Sequence, residues 1–340
     1  MDKKMKIFIE EIKKKALDDK DLTRDELLIL FGLDPMSEEC RYLGESAREV
    51  SRIKAKNKAK VGSSIGVDLH RCPASCTFCS LGEKWALFDE EYKVTTEEIL
   101  QIIRDVIGKG FYQFTMRTTE FFPVDELCDI ARKIKIEFGS TVILNANTGE
   151  LTLDEAKRLK EAGYTSAYHS LRLGEGKDTP IDPEVRKDTM RAIKEAGLRH
   201  ACGLDPIGIE HTNEELADLL LFYRSISPGA ICAMKRIAVK GTPKGDLPEV
   251  SDIRIAQIAA VIRMASGGRN IVSVHPPIMQ ALQWGANNIA IECGANPRRE
   301  RSDMAKWEIF DHDEATKFLE KAGYDRGSIT DFFVVKTDQK

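Results

Sequence analysis

From residue 61 onward, short apolar runs alternate with amphipathic helices, and this alternation constrains the fold more than any other feature. The strand candidates are SIGVDLH (64–70), YQFTMRT (112–118), TVILNAN (141–147), TSAYHSLRL (165–173), RHACGLD (199–205), AICAMKRIAV (230–239), NIVSVHP (270–276) and NIAIECG (288–294). Helical segments such as TTEEILQIIRDVIGKG and TLDEAKRLKEAGY separate them. The phrases LKEAGY, IKEAGL and LEKAGY recur, each a helix end with glycine in the position of a C-cap. Strands joined through helices run parallel, with right-handed crossovers. Eight such units in succession imply a closed (β/α)8 barrel of the TIM type, with an open doubly wound sheet as the rival.

The first sixty residues read as charged helices. DLTRDELLILFGL carries a capping box, Thr23 with Glu26, and ESAREVSRIKAKNKAKVG leads into the main domain. The expected organisation is an N-terminal helical extension over 1–60, the barrel over 61–310, and a C-terminal helix and tail over 311–340. Hydrophobic residues make up 42% of the 340, enough for a large core. A net charge of −4 argues against nucleic acid held by bulk electrostatics. The opening MDKKMKIFIEEIKKK interleaves charges with apolar residues, unlike a signal peptide, and no run approaches the length of a membrane span. A cytoplasmic location is expected.

LHRCPASCTFCSLG (69–82) places Cys72, Cys76 and Cys79 at the spacing C-x3-C-x2-C after the first strand. In a reducing compartment, clustered thiols read as metal ligands. A structural zinc needs four ligands. His70 is the candidate fourth, although it continues the strand and no second ligand pair follows. Three buried free thiols would suit an apolar segment better than this polar loop. The remaining reading is a 4Fe–4S cluster on three thiolates, with one iron left open for a small-molecule chelate.

This spacing, with Phe78 before the last cysteine, resembles the signature of radical S-adenosylmethionine (SAM) enzymes. The resemblance spans roughly residues 20–310 and is nearest to the biotin synthase group, which also holds the iron–iron hydrogenase maturase, methylornithine synthase and a radical enzyme linked to the iron-guanylylpyridinol cofactor. LTRDELLIL, VKGTP after the sixth strand and GAN near the eighth carry it further. It implies that Cys72, Cys76 and Cys79 bind one 4Fe–4S cluster, that SAM chelates the open iron, and that a 5′-deoxyadenosyl radical takes hydrogen from a substrate. It also implies a reductant such as flavodoxin or ferredoxin.

On the same resemblance, Thr118, Thr119 and Glu120 occupy the place of a Gly/Glu motif that holds the methionine ammonium, here without its glycines. His169 and Ser170 match positions near the ribose, and Arg186 matches an arginine on the methionine carboxylate. Ile207, Gly208 and Ile209 lie where backbone groups read adenine. Biotin synthase carries a second cluster, and a rough alignment puts Thr115, Asn145, Ala201 and Pro277 at its ligand positions. No cysteine stands there, so one cluster is expected. Cys40, Cys128, Cys202, Cys232 and Cys293 show no ligand spacing, and a meeting of Cys40 with Cys293 keeps sulfur insertion as an alternative.

Ionisable residues on barrel strands need partners. His169, Arg172, Lys235, Arg236, His275 and Glu292 form the pool of expected contacts to a small polar or anionic substrate. The three arginines of GANPRRERSD read as a solvated charge run. The expected activity is hydrogen abstraction in cofactor or modified amino-acid biosynthesis. The alternatives are a sulfur-inserting synthase and a non-catalytic iron–sulfur or zinc protein.

Overall fold

The computed structural model describes residues 2–325, so the tail expected from 326 onward lies outside the described residues. Its centre is a closed parallel barrel. The strands are β1 (Lys60–Gly66), β2 (Gln113–Arg117), β3 (Ile143–Asn147), β4 (Tyr164–Tyr168), β5 (Arg199–Ile207), β6 (Ala230–Lys235), β7 (Ile271–His275) and β8 (Asn288–Gly294). β8 closes on β1 in register from Lys60↔Asn288 to Gly66↔Gly294. The open-sheet rival is thereby excluded.

Three helices precede the barrel: α1 (Lys3–Leu17), α2 (Arg24–Phe31) and α3 (Glu38–Lys54). One helix then follows each strand: α4 (Thr96–Ile107), α5 (Val124–Phe138), α6 (Leu153–Ala162), α7 (Pro183–Glu195), α8 (Asn213–Ile226), α9 (Asp252–Ser266), α10 (Met279–Gln283) and α11 (His312–Lys321). The glycines of the three recurring helix ends, Gly163, Gly197 and Gly323, all take positive φ. Thr23 and Glu26 form both bonds of the expected capping box.

The N-terminal helices pack on α9, and α2 also meets α8. Gln257 of α9 is fully buried and donates to Leu30 O and Leu33 O, both at 2.9 Å. Leu30 O belongs to the unsatisfied end of α2, and Leu33 follows just beyond it. Packed between the barrel and these helices, α9 is buried all round from Ile255 to Ser266. α11 packs on β1 and β8, where His312 meets Ser63 Oγ at 2.8 Å. No described helix is long and apolar enough to cross a membrane.

Three strands depart from the sequence reading by four residues or more at one end or both. β1 starts and ends four residues early, and the chain then forms a two-residue ribbon, Asp68–Leu69 against Tyr92–Lys93. His70 therefore does not continue a barrel strand. β4 stops at Tyr168 and β6 at Lys235. In each case the apolar pattern runs past the strand end into the barrel mouth, where single backbone bonds such as Val67 N–H to Arg117 O persist without a continuous ladder.

TIM-type barrels usually fill their interior with branched aliphatic side chains. Here small inward residues, among them Ser64, Thr115, Ala201, Cys232 and Ser273, leave a cavity of about 190 Å³. The barrel is hollow because of what its inward positions lack.

Candidate active site

The cysteine loop leaves the C-terminal end of β1 and folds back on itself. Cys72 N–H donates to Leu81 O at 2.7 Å, and Cys79 N–H to Cys76 O at 3.0 Å. Cys72, Cys76 and Cys79 pack with Phe78 and Leu81 as a small cluster separate from the main core. The Trp85 indole N–H donates to Cys76 O at 3.3 Å and closes the loop. Burial pushes the Cys76 thiol up to about 12, with Arg172 pulling the other way. Cys72 and Cys79 are raised for the same first reason. Thiols must shed their protons to bind metal, so ligation here would release protons.

His70 does not join the cysteines. Its Nδ1 lies 2.9 Å from Asp68 Oδ2. Among the described residues, no three His, Cys, Asp or Glu side chains are grouped around a single ion. Zinc therefore has no four-ligand set at this loop. A cubane cluster places each thiolate on a different iron, which suits three cysteines spread around a loop.

Beside the loop lies an ion-pair network. Arg186, 1% exposed, meets Glu120 at 2.9 Å, Glu150 at 2.5 Å and Glu175 at 3.2 Å. Glu120 also lies 3.9 Å from Arg172, and Glu150 lies 3.2 Å from His169 Nε2. Burial works to raise the Glu150 carboxyl, but His169 and Arg186 outweigh it and hold it at about 2. Three carboxylates thus face two guanidiniums. Two nitrogens of this set, Arg172 Nη1 and His169 Nε2, are buried without an aligned hydrogen-bond partner among the described residues, and of the two only His169 Nε2 has a carboxylate within 4 Å.

A Gly–Glu pair occurs one strand later than expected. A Cβ on Gly149 would overlap the backbone of Glu120, so only glycine lets the loop after β3 pass there and deliver Glu150. Glu150 and Glu175 were not among the expected site residues. NTGE after β3 and RLGEG after β4 were the available signals.

The other expected cofactor residues are placed as follows. Thr119 donates from N and Oγ1 to Asp68 at 2.8 and 2.5 Å, tying the loop after β2 to the ribbon. Thr118 Oγ1 bonds Thr148 Oγ1 at 2.9 Å. Ser170 Oγ accepts Gly203 N–H at 2.9 Å, and His169 N–H donates to Ala201 O at 2.9 Å. Ile207 O accepts Arg236 N–H at 2.8 Å, and Gly208 N–H donates to His211 Nδ1 at 3.0 Å. Ile209 is exposed at the mouth.

Two expected substrate contacts, Lys235 and Arg236, do not line the cavity. Lys235 points away from the cavity, because Cys232 and Met234 take the inward positions of β6. Its ammonium pairs with Glu249 at 3.1 Å and Asp252 at 3.0 Å. Arg236 is buried beyond the strand end, paired with Glu210 at 3.0 Å and donating to Pro248 O at 2.9 Å. It belongs to a clamp on the cysteine loop. Lys244 bridges Asp178 and Glu210 at 2.6 and 3.0 Å, Lys244 N–H donates to Thr77 O at 3.0 Å, and Thr77 N–H to Asp178 O at 2.9 Å. Arg186 is the residue expected on the methionine carboxylate. Its guanidinium is occupied by three glutamates, whereas Arg172 keeps an open nitrogen.

His275 and Glu292 do line the cavity, and Glu292 pairs with Arg117 at 3.2 Å. Thr115, Asn145 and Ala201 also face inward, without a thiol at those positions. Cys40 sits in α3 beside Arg254, while Cys293 sits on β8 beside Arg117 and Arg299, so the two do not meet. Arg299 lies 3.8 Å from Glu308, and Arg301 stacks 4.7 Å from the Tyr92 ring, so two arginines of the GANPRRERSD run are engaged at the surface.

The model of the radical SAM superfamily matches residues 67–223, from the ribbon before the cysteine loop through α8. Over those residues the chain carries a radical SAM domain, and the cofactors of that family are a 4Fe–4S cluster and SAM. Within it, the chain is similar to biotin synthases. It is 26% identical to that of Pelotomaculum thermopropionicum over 267 residues, covering 76% of this chain and 82% of the relative. To that of Clostridium botulinum strain Langeland it is 26% identical, covering 81% and 89%. The fold resembles the crystal structures of HydG, a maturase of the [FeFe]-hydrogenase, and of methylornithine synthase (PylB). HydG aligns with TM-score 0.80 and 18% identity over 94% of this chain and 76% of that one. PylB aligns with TM-score 0.77 and 17% identity over 92% and 95%.

Proposed function

We propose that this radical SAM enzyme acts on a small polar substrate held in the hollow barrel, with Cys72, Cys76 and Cys79 as the cluster ligands. The observation that carries the reading is the convergence of three thiols and the Glu120–Arg172–Arg186 network at the mouth of a barrel whose cavity runs from Lys60 and Asn288 up to His275 and Glu292. When bound, the cluster and SAM supply the 5′-deoxyadenosyl radical. The protein binds, orients and shields.

Glu120 is the acceptor for the methionine ammonium, since three carboxylates against two guanidiniums leave one negative charge to balance. Arg172 Nη1 takes the methionine carboxylate, and Arg186 holds the glutamates in place. His169 and Ser170 lie on the ribose side, and the exposed backbone around Ile209 is left to meet adenine. Thr118 and Thr119 position Glu120 through Thr148 and Asp68. The substrate contacts come from His275, Glu292 and the small polar residues of the cavity wall. Its reductant is a flavodoxin or ferredoxin. The reaction belongs to cofactor or modified amino-acid biosynthesis.

The test is anaerobic reconstitution followed by reduction with SAM. About four irons per chain and release of methionine and 5′-deoxyadenosine are expected. Full iron in the Cys72→Ala, Cys76→Ala, Cys79→Ala triple variant would sink the ligand assignment. The similarity to biotin synthases favours sulfur insertion as the second reading. About six to eight irons per chain would select it instead.

A further inference from the structure

Cys232 is the one cavity-lining thiol among the described residues, and it stands beside Gly203 in the β5–β6 register. A Cβ on Gly203 would lie 2.7 Å from Tyr168 Oη and 3.2 Å from Cys232 Cβ. The missing side chain lets the Tyr168 hydroxyl come alongside the cysteine. That hydroxyl donates to Asp205 Oδ2 at 3.1 Å. Burial raises the Asp205 carboxyl above the usual range, against the pull of Arg172. Burial also raises the Cys232 thiol, so it keeps its proton at neutral pH.

A second observation marks the cavity as a ligand site. Asn145, 7% exposed, lines it, and its Oδ1 has no hydrogen-bond partner among the described residues. The amide is oriented by its Nδ2, which donates to Thr115 Oγ1 at 3.1 Å. A buried acceptor left open costs free energy until a donor arrives.

We propose that Cys232 is the hydrogen-atom donor that quenches the carbon-centred substrate radical in this cavity. The inference rests on the function proposed above. The S–H bond breaks, a C–H bond forms on the substrate, and the sulfur is left as a thiyl radical. One electron from the low-potential iron–sulfur or flavin protein that reduces the enzyme converts it to thiolate. The thiolate takes a proton from the Tyr168–Asp205 pair, which solvent replaces. An S–H bond is weaker than most C–H bonds, so the transfer runs downhill.

The test needs no identified substrate. Reconstituted enzyme turns over SAM with dithionite in D2O, and 5′-deoxyadenosine is read by mass spectrometry. With no substrate present, Cys232 S–D is the donor the deoxyadenosyl group meets, and the product carries one deuterium. Cys232→Ala and Cys232→Ser both lose it, with iron content and melting temperature unchanged. Cys202→Ala keeps it, since that thiol sits behind β5 against Ala230 O. A cofactor-free readout treats the metal-free chain with methylmercury chloride, which displaces the proton of a thiol it can reach. Peptide mapping should show Cys232 modified and Cys202 not. Deuterium retained in both Cys232 variants, or an unmodified Cys232, overturns the donor role. Wild-type deoxyadenosine without deuterium also overturns it and leaves the parent function standing. No deoxyadenosine at all overturns that function and this inference with it.

Discussion

The loops after β4 and β6 are both rich in charge, yet they do different things. After β4, His169, Arg172, Glu175 and Arg186 converge with Glu120 and Glu150 beside the cysteines, and Arg172 Nη1 stays unpartnered. After β6, Lys235 and Lys244 are paired with carboxylates, and Arg236 adds backbone carbonyls to Glu210. In the first set one guanidinium nitrogen has no carboxylate beside it; in the second, Arg236 Nε makes no aligned hydrogen bond but lies 3.0 Å from Glu210, so its charge is spent on holding a loop. What separates site from scaffold is this remainder, not residue type.

The sharpest way to break the comparison is to remove the thiols both loops surround. The triple cysteine-to-alanine variant is expected to lose essentially all of about four irons per chain and all deoxyadenosine formation. Next in size is Arg236→Met. Breaking a buried pair typically costs about 3–5 kcal/mol, and the low end is expected because Lys244 still meets Glu210. Chemical denaturation measures it, and SAM affinity of the folded holoenzyme should stay near wild type.

Arg172→Met should behave in the opposite way. Losing a charged hydrogen-bond partner costs about 1.5–3 kcal/mol, so SAM should bind roughly tenfold weaker or more in a direct titration. Its melting temperature should move little. If the two variants exchange phenotypes, the division between loops is wrong. Lys235→Met probes the outer rim, where the partner Asp252 is largely exposed, and should change stability by under about 1 kcal/mol.

The smallest effect is with pH. Burial lowers His200 to about 4 and His312 to about 4. Between the ordinary histidine value near 6.5 and about 4, the unfolded chain binds more protons at these sites than the folded one. Stability therefore falls as pH drops through that window and levels off below it. His200→Gln should flatten part of this slope in thermal melts; an unchanged slope would show that His200 is not the titrating group.

Much of the fold was legible. All eight strands were found near their places, and β8 has the expected limits. The cysteine loop announced itself because its chemistry needs close spacing along the chain. The glutamates that surround Arg186 were not legible, because Glu120, Glu150 and Glu175 come from three different loops. Lys235 and Arg236 stand apart from the cavity because the register of β6 turns Lys235 outward and the strand ends before Arg236.

By itself the sequence determined the alternation of strands and helices, the helix caps and the three-thiol loop, since each is written in residues a few positions apart. Only the tertiary structure decided that the barrel is hollow, that Arg172 Nη1 lies without a partner while Arg236 Nε sits in an ion pair with Glu210, and that Cys232 faces the cavity while Cys202 does not. These outcomes depend on register, on which side chains fill a shared volume, and on which charges exhaust one another. Such conditions join residues far apart in the chain and are satisfied only when the barrel closes.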